Sequence, residues 1–233
     1  MAPAEDPDVE VHLQWWPAAR GFAPGTGDEY FVQLHELLLA LAGRLPDADL
    51  VSLRRSVVTD LAVVPEATVV SALDAGVALT RPEVNAIVEI SRAFGVPGGE
   101  TPKLARLALV DAVPDDPGRF TARPGVAQDF TDVSAAASLK YERGPLRIWR
   151  AWRADGDGPR RVYLAEVAPA TEAWLLTDRF QQDLAKVIAA RPAEAGDVVP
   201  TVEIFWAGWE PGPYHRSALE TGELLWSRDG GAA

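Results

Sequence analysis

Seven of the chain's basic residues fall between Lys140 and Arg161: Lys140, Arg143, Arg147, Arg150, Arg153, Arg160 and Arg161. Only Glu142, Asp155 and Asp157 oppose them, so the stretch carries +4 inside a chain of net charge −12, and the remainder sums to −16. Tyr141, Trp149, Trp152 and Tyr163 are interleaved with these charges. Arginine beside tryptophan is the chemistry of an anion-binding or partner-binding strip, since guanidinium groups pair with carboxylates and stack on indole faces. The candidate partner-binding residues are Arg147, Trp149, Arg150, Trp152, Arg153, Arg160 and Arg161. An acidic face of a second copy would serve as well as another protein, so self-association belongs to the same reading. The plainer alternative is a hairpin surface on which arginine stems cover tryptophan rings and the charges pair with carboxylates of the same chain.

The second chemical cluster is Trp206, Trp209, Tyr214 and His215, the candidate lining of a small apolar pocket. His215 follows Pro213 at a helix start, where an imidazole meets the positive end of the helix dipole. A hydrolase using His215 with Glu203, Glu220 or Ser217 can be drawn, but it lacks an orienting group and an oxyanion site. His35 lies among leucines and reads as a core histidine, and His12 lies on the polar side of a strand pattern. No nucleophile elbow, phosphate-cradling glycine loop or zinc-helix motif is present. We therefore assign no catalytic residue, no metal ligand and no cofactor from the sequence.

Composition narrows the classes further. The 233 residues include no cysteine and three histidines, which excludes disulfides, thiolate metal sites and cysteine nucleophiles. With 48% apolar residues and no apolar run near the ~20 residues that span a bilayer, the chain reads as a cytoplasmic globular protein that has no membrane partner. Its acidity disfavours broad attraction to nucleic acid.

The elements that would position these residues follow from periodicity. Val9, Val11, Leu13 and Trp15 alternate with polar residues as a strand, and this strand is expected to join the C-terminal sheet. Helices are expected from about Glu29 to Arg44, with Thr26 and Glu29 at capping-box spacing, and then over a stripe Leu50, Leu53, Val57 and Leu61 capped by Asp47 or Asp49. A third starts at Pro65 and ends at Gly76, and a fourth is framed by a Thr80/Glu83 capping box and Gly95. A fifth is expected over Pro102 to Val110. Proline, glycine and aspartate then crowd 113–125, which separates a strand-plus-helix region (1–112) from a sheet domain (126–233). In the latter, strands are expected at Leu139 to Glu142, Leu146 to Arg153, Arg161 to Val167 and Thr201 to Trp206. Helices are expected from Glu172 to Ala190 and from Pro213 to Trp226. The order β-β-β-α-β-α makes the class α+β.

The helical region carries Leu61-Ala62-Val63-Val64-Pro65-Glu66-Ala67-Thr68-Val69-Val70-Ser71-Ala72-Leu73-Asp74-Ala75-Gly76, then Arg81-Pro82-Glu83 and Phe94-Gly95-Val96-Pro97. From Phe31 to Pro97 this resembles the Cro/repressor-like (XRE-type) helix-turn-helix domains common in high-GC bacteria. The resemblance implies a five-helix bundle whose third helix, Glu66 to Ala75, would lie in a DNA major groove. That helix offers Glu66, Thr68, Ser71 and Asp74 and no basic residue, and Phe31 to Asp111 holds seven basic against ten acidic residues. Base reading and phosphate anchoring both need the opposite.

The expected function is accordingly that of a non-enzymatic accessory or regulatory protein acting through protein–protein contact or self-association, its helix-turn-helix-like bundle having lost DNA binding. The alternatives are a DNA-binding regulator with a C-terminal sensing or dimerisation domain and a small hydrolase built on the His215 region.

Overall fold

The computed structural model describes residues 27–96, 103–113, 119–123, 126–155, 158–190 and 199–229. The expected strand at Val9 to Trp15 and the capping residue Thr26 lie outside the described residues. Among the described residues, seven α-helices and six strands give an α+β fold. We label them α1 (Asp28–Ala40), α2 (Asp47–Thr59), α3 (Val64–Asp74), β1 (Leu79–Thr80), α4 (Arg81–Ala93), β2 (Leu109–Val110), α5 (Phe130–Lys140), β3 (Pro145–Asp155), β4 (Gly158–Val167), α6 (Ala173–Ala189), β5 (Thr201–Trp206), α7 (Pro213–Thr221) and β6 (Glu223–Ser227).

Local sequence explains most of the helix boundaries. α4 starts at the Thr80/Glu83 capping box, and Arg44 clamps Glu83 at 2.5 Å while donating to the Ala78 carbonyl, which fixes the end of the α1 region against the start of α4. α3 has its proline in the first turn, and Gly76 follows it at φ 65. α2 differs from expectation: Pro46 stands at its N-cap, and the Asp47 carboxylate is turned away to Arg153.

Three expected elements are corrected. Of the helix expected over Pro102 to Val110, the described residues 103–110 form a 3₁₀ turn at Leu104–Arg106, and Leu109–Val110 pairs in parallel with Leu79–Thr80, so interstrand bonds take the backbone groups a fifth helix would have used. The expected strand at Leu139 to Glu142 is the end of α5, which an Asp129/Asp132 capping box starts and which buries Thr131, Asp132, Ala135 and Leu139 on one side. The helix expected to run to Trp226 stops at Thr221. At Gly222 a Cβ would lie 2.7 Å from the Ala218 carbonyl, and the chain beyond it becomes β6.

The main sheet has strand order β5-β4-β3-β6. β3 and β4 form the antiparallel hairpin, β6 runs antiparallel to β3, and β5 runs parallel to β4 after the α6 crossover. Both faces of the sheet are covered. Ile148, Tyr163, Ala165, Val202, Ile204 and Trp206 join one core with the leucines of α1 and α2 and with α6. On the opposite face Ala151, Val162, Leu164 and Phe205 pack with Leu39, Phe120 and Ala218. The helical and sheet regions therefore share a continuous core, and Phe120, within the proline-rich segment, is part of the packing.

β5 is an edge strand, yet all six of its residues are buried. Side chains satisfy its outer backbone groups. Gln181 accepts from the Val202 N–H and donates to the Pro200 carbonyl, Arg54 donates to the Val202 carbonyl at 2.7 Å, and the His35 Nε2 lies 2.7 Å from the Ile204 carbonyl oxygen. An edge closed in this way cannot accept another strand.

Candidate functional site

The strip arginines are divided by the hairpin between the two covered faces. Arg150, 1% exposed, donates to Asp132 of α5, to Glu223 of β6 at 2.5 Å and to the Val126 carbonyl at 2.7 Å. Arg153, 4% exposed, forks onto both carboxylate oxygens of Asp47 at 3.0 and 2.5 Å, and Arg160 stands 3.7 Å from the same group. Burial alone would raise the Asp47 carboxyl, but Arg153 outweighs it and the net shift is downward. Arg161 forks onto Asp129 at 2.9 and 2.6 Å and reaches Asp132 and the Tyr163 hydroxyl. Against the opposing effect of its partial burial, this pairing holds Asp129 at about 2. Arg147, half exposed, sits 3.4 Å from Glu166.

The aromatic members are also spoken for. The Trp152 ring has three guanidinium groups near it, those of Arg161 at 4.9 Å, Arg123 at 5.0 Å and Arg150 at 5.7 Å. Trp149 stacks on Phe205. The structure thus gathers all seven strip residues onto one hairpin, but it directs the cations of Arg150, Arg153 and Arg161 to carboxylates on α2, α5 and β6. These pairs tie the helical region and the last strand to the sheet.

Three of the four pocket candidates meet. Trp209, Tyr214 and His215 line a cavity of about 250 Å³ together with Leu39, Arg44 and Arg119. Trp206 does not line it: its ring belongs to the main core and its indole N–H donates to the Thr171 carbonyl at 2.7 Å. Gly43, at φ 72, lets the chain pass the Tyr214 ring, where a Cβ would come within 2.3 Å.

Behind the cavity wall lies a buried charge network. Glu203 of β5 accepts from Arg54 of α2 at 2.5 Å, and the His215 Nε2 stands 3.3 Å from the same carboxylate oxygen. Burial would raise the Glu203 carboxyl, but Arg54 and then His215 more than offset it, so the net shift is downward from the ordinary glutamate value. His35, fully enclosed and close to Arg54, is lowered to about 4, chiefly by burial. Of the three partners drawn for His215, Glu203 is the one in contact. The Tyr214 hydroxyl is held 3.2 Å from Arg153, and no serine or threonine stands among the described residues lining the cavity.

The residues that periodicity did not single out are on α5. Phe130, Val133 and Tyr141 are 53%, 55% and 82% exposed, and with Ala137 they recur at i, i+3, i+7 and i+11 on the side of the helix opposite Ala135 and Leu139. The Asp129-x-x-Asp132 spacing followed by three consecutive alanines was the available signal for this helix.

The exposed surface of α3 is set by Glu66, which pairs with Lys103, and by Asp74. Ser71 is turned inward to Asp49 at 2.6 Å. Among the described residues no cluster of three metal-ligating side chains occurs, and no helix is long and apolar enough to cross a membrane. No protein-family model, curated protein or solved structure matches the chain.

Proposed function

We propose that this chain is a non-enzymatic accessory or regulatory protein that works through contact with another protein or with itself, and that its helix-turn-helix-like bundle does not read DNA. The observation that carries this reading is a separation of roles. Arg150, Arg153 and Arg161, which could have drawn an anion, are committed to carboxylates of the same chain, whereas large apolar side chains are exposed on the outside of α5. An apolar row of this kind on a surface helix is the usual mark of a protein contact. The α3 surface, with Glu66 and Asp74 where groove-reading residues would be needed, argues against DNA. A random duplex titrated with the protein at low salt, about 20 mM, is expected to show no retardation in a native gel. Retardation that disappears with added salt would restore the DNA-binding regulator.

The His215–Glu203 pair at the cavity wall supports a second reading, a general base for a small hydrolase. It predicts turnover of simple activated esters that is abolished in His215→Gln. The first reading expects no turnover by either protein, because Arg54 and His215 compensate the buried Glu203 in a network joining α2, β5 and α7.

A further inference from the structure

Resting on the protein-contact reading above, we infer that the groove between the α5–β3 turn and the start of α6 is a docking site for an acidic segment of a partner protein, one that combines carboxylates with a large apolar residue. The groove encloses about 950 Å³, near the upper end of the ~300–1,000 Å³ of ligand sites. That size suits a short run of peptide better than a single small ion.

The local fold sets its walls. The Ala168 N–H donates to the Gly144 carbonyl at 2.8 Å, and a Cβ at Gly144 would lie 2.5 Å from the Thr171 hydroxyl oxygen, so the turn before β3 and the loop before α6 meet at the floor. Just past β6, the Arg228 N–H donates to the Leu146 carbonyl at 2.9 Å, which brings Arg228 beside the same turn as Arg143. These two arginines line the groove from the β3 side, and Glu172, Leu175 and Arg179 line it from the α6 side. Ala170, also in the lining, is held at φ 62, a left-handed strain of the kind that collects at binding sites.

Charge selects the occupant. Arg179 of the lining pairs with Glu142 at 2.8 Å, and Asp178 pairs with Arg55 at 3.1 Å. The guanidinium groups of Arg143 and Arg228 are exposed and meet no carboxylate among the described residues. With the two pairs neutral, two arginines stand against Glu172 and leave the groove at +1 in a chain of net charge −12. An acidic segment is repelled by most of the surface and drawn here. Leu175 is 38% exposed, and the Tyr141 ring is 82% exposed with the Lys140 ammonium 5.8 Å from its centroid. They offer an apolar contact that an inorganic anion does not use and a peptide side chain does. Exposed guanidinium–carboxylate pairs are weak and screened by salt, so the contact is transient and dependent on ionic strength.

Fluorescence anisotropy of a fluorescein-labelled peptide of Glu-Glu-Leu repeats, titrated with the full chain at about 20 mM salt, is the test, and the same peptide with Gln for Glu is the control. The expected result is saturable binding of the acidic peptide, weakened at least about tenfold by Arg143→Glu with Arg228→Glu, by the glutamine peptide, and by about 0.5 M salt. Both positions are exposed, so the double variant is expected to fold, which circular dichroism verifies. Arg143→Gln and Arg228→Gln, each expected to weaken binding on its own, serve if it does not. Equal binding by the variants, or of the glutamine peptide, would overturn the inference. Absence of binding by the natural chain at about 300 µM would also overturn it. Leu175→Cys, the sole thiol in the chain, then tells this failure from that of the protein-contact reading. Rapid thiol labelling would show an open groove that takes no acidic segment, leaving that reading standing. Slow labelling would show a groove covered by the chain's own remaining residues or by a second copy, which removes this face from it.

Discussion

At the scale of single residues, arginine's role is decided by where the hairpin turns each side chain. Arg153 and Arg147 are six residues apart on one strand and differ in consequence. Arg153→Met leaves the Asp47 carboxylate in a largely enclosed site with the Thr201 side chain and, at 3.7 Å, Arg160 as its remaining partners, and is expected to lower unfolding stability by about 3 kcal/mol. Arg147→Met removes a half-exposed pair and is expected to change it by less than about 0.5 kcal/mol. Urea unfolding of the two variants checks both values. His35 makes the fold pH-sensitive in a defined window. Its pKa is about 4 when folded and near 6.5 when unfolded, so between these values the unfolded chain binds more protons, and stability falls as pH drops from about 6.5 to about 4. The full loss is about 3 kcal/mol. Glu203 and Asp129 are both shifted downward, so the stability they contribute is lost as pH falls through their own lowered pKa values. His35→Gln is expected to flatten the urea midpoint between pH 7 and 4.5 relative to the natural chain.

At the scale of elements, Gly43 is the position where backbone freedom and packing coincide. Gly43→Ala would need an unfavourable φ of 72 and would drive a methyl into the Tyr214 ring, so a loss of about 2 to 4 kcal/mol is expected, read by thermal unfolding together with a shift in tryptophan fluorescence from Trp209. Elements whose signals are local were legible in the sequence: the Thr80/Glu83 box starts α4, and Thr201 to Trp206 is the strand its pattern indicated. Elements set by tertiary pairing were not. Leu109–Val110 became a strand because Leu79–Thr80 offered a partner, and Leu224, Leu225 and Trp226 left the helical stripe because β3 had an open edge. The α5 helix was hidden for another reason. Its polar capping residues follow a proline- and glycine-rich stretch, and its most apolar positions face outward, so the buried side alone, Ala135 and Leu139, gives a faint period. Trp209, Tyr214 and His215 could be grouped from proximity in sequence, whereas Arg54 and Asp132 could not, because their partners lie far along the chain or on an element not foreseen.

At the scale of the whole molecule, charge is the thread. The +4 hairpin within an acidic chain suggested a surface for anions, and the fold uses it instead as an internal counterweight that binds α2, α5 and β6 to the sheet. The sheet's β5 edge is closed by Gln181, Arg54 and His35, so a second chain cannot be added there by strand pairing. The outer side of α5 exposes Val133 and Tyr141 as an apolar contact surface, and salt distinguishes such a surface from an arginine strip. Raising sodium chloride from 0.05 to 1 M weakens contacts between exposed charges and leaves apolar contacts intact or stronger, while screening the repulsion between acidic copies. The decisive measurement is therefore the weight-average mass at about 200 µM across that salt range. Association that persists or grows with salt is the expected result, and association that dissolves as salt is added would return the contact to the arginines.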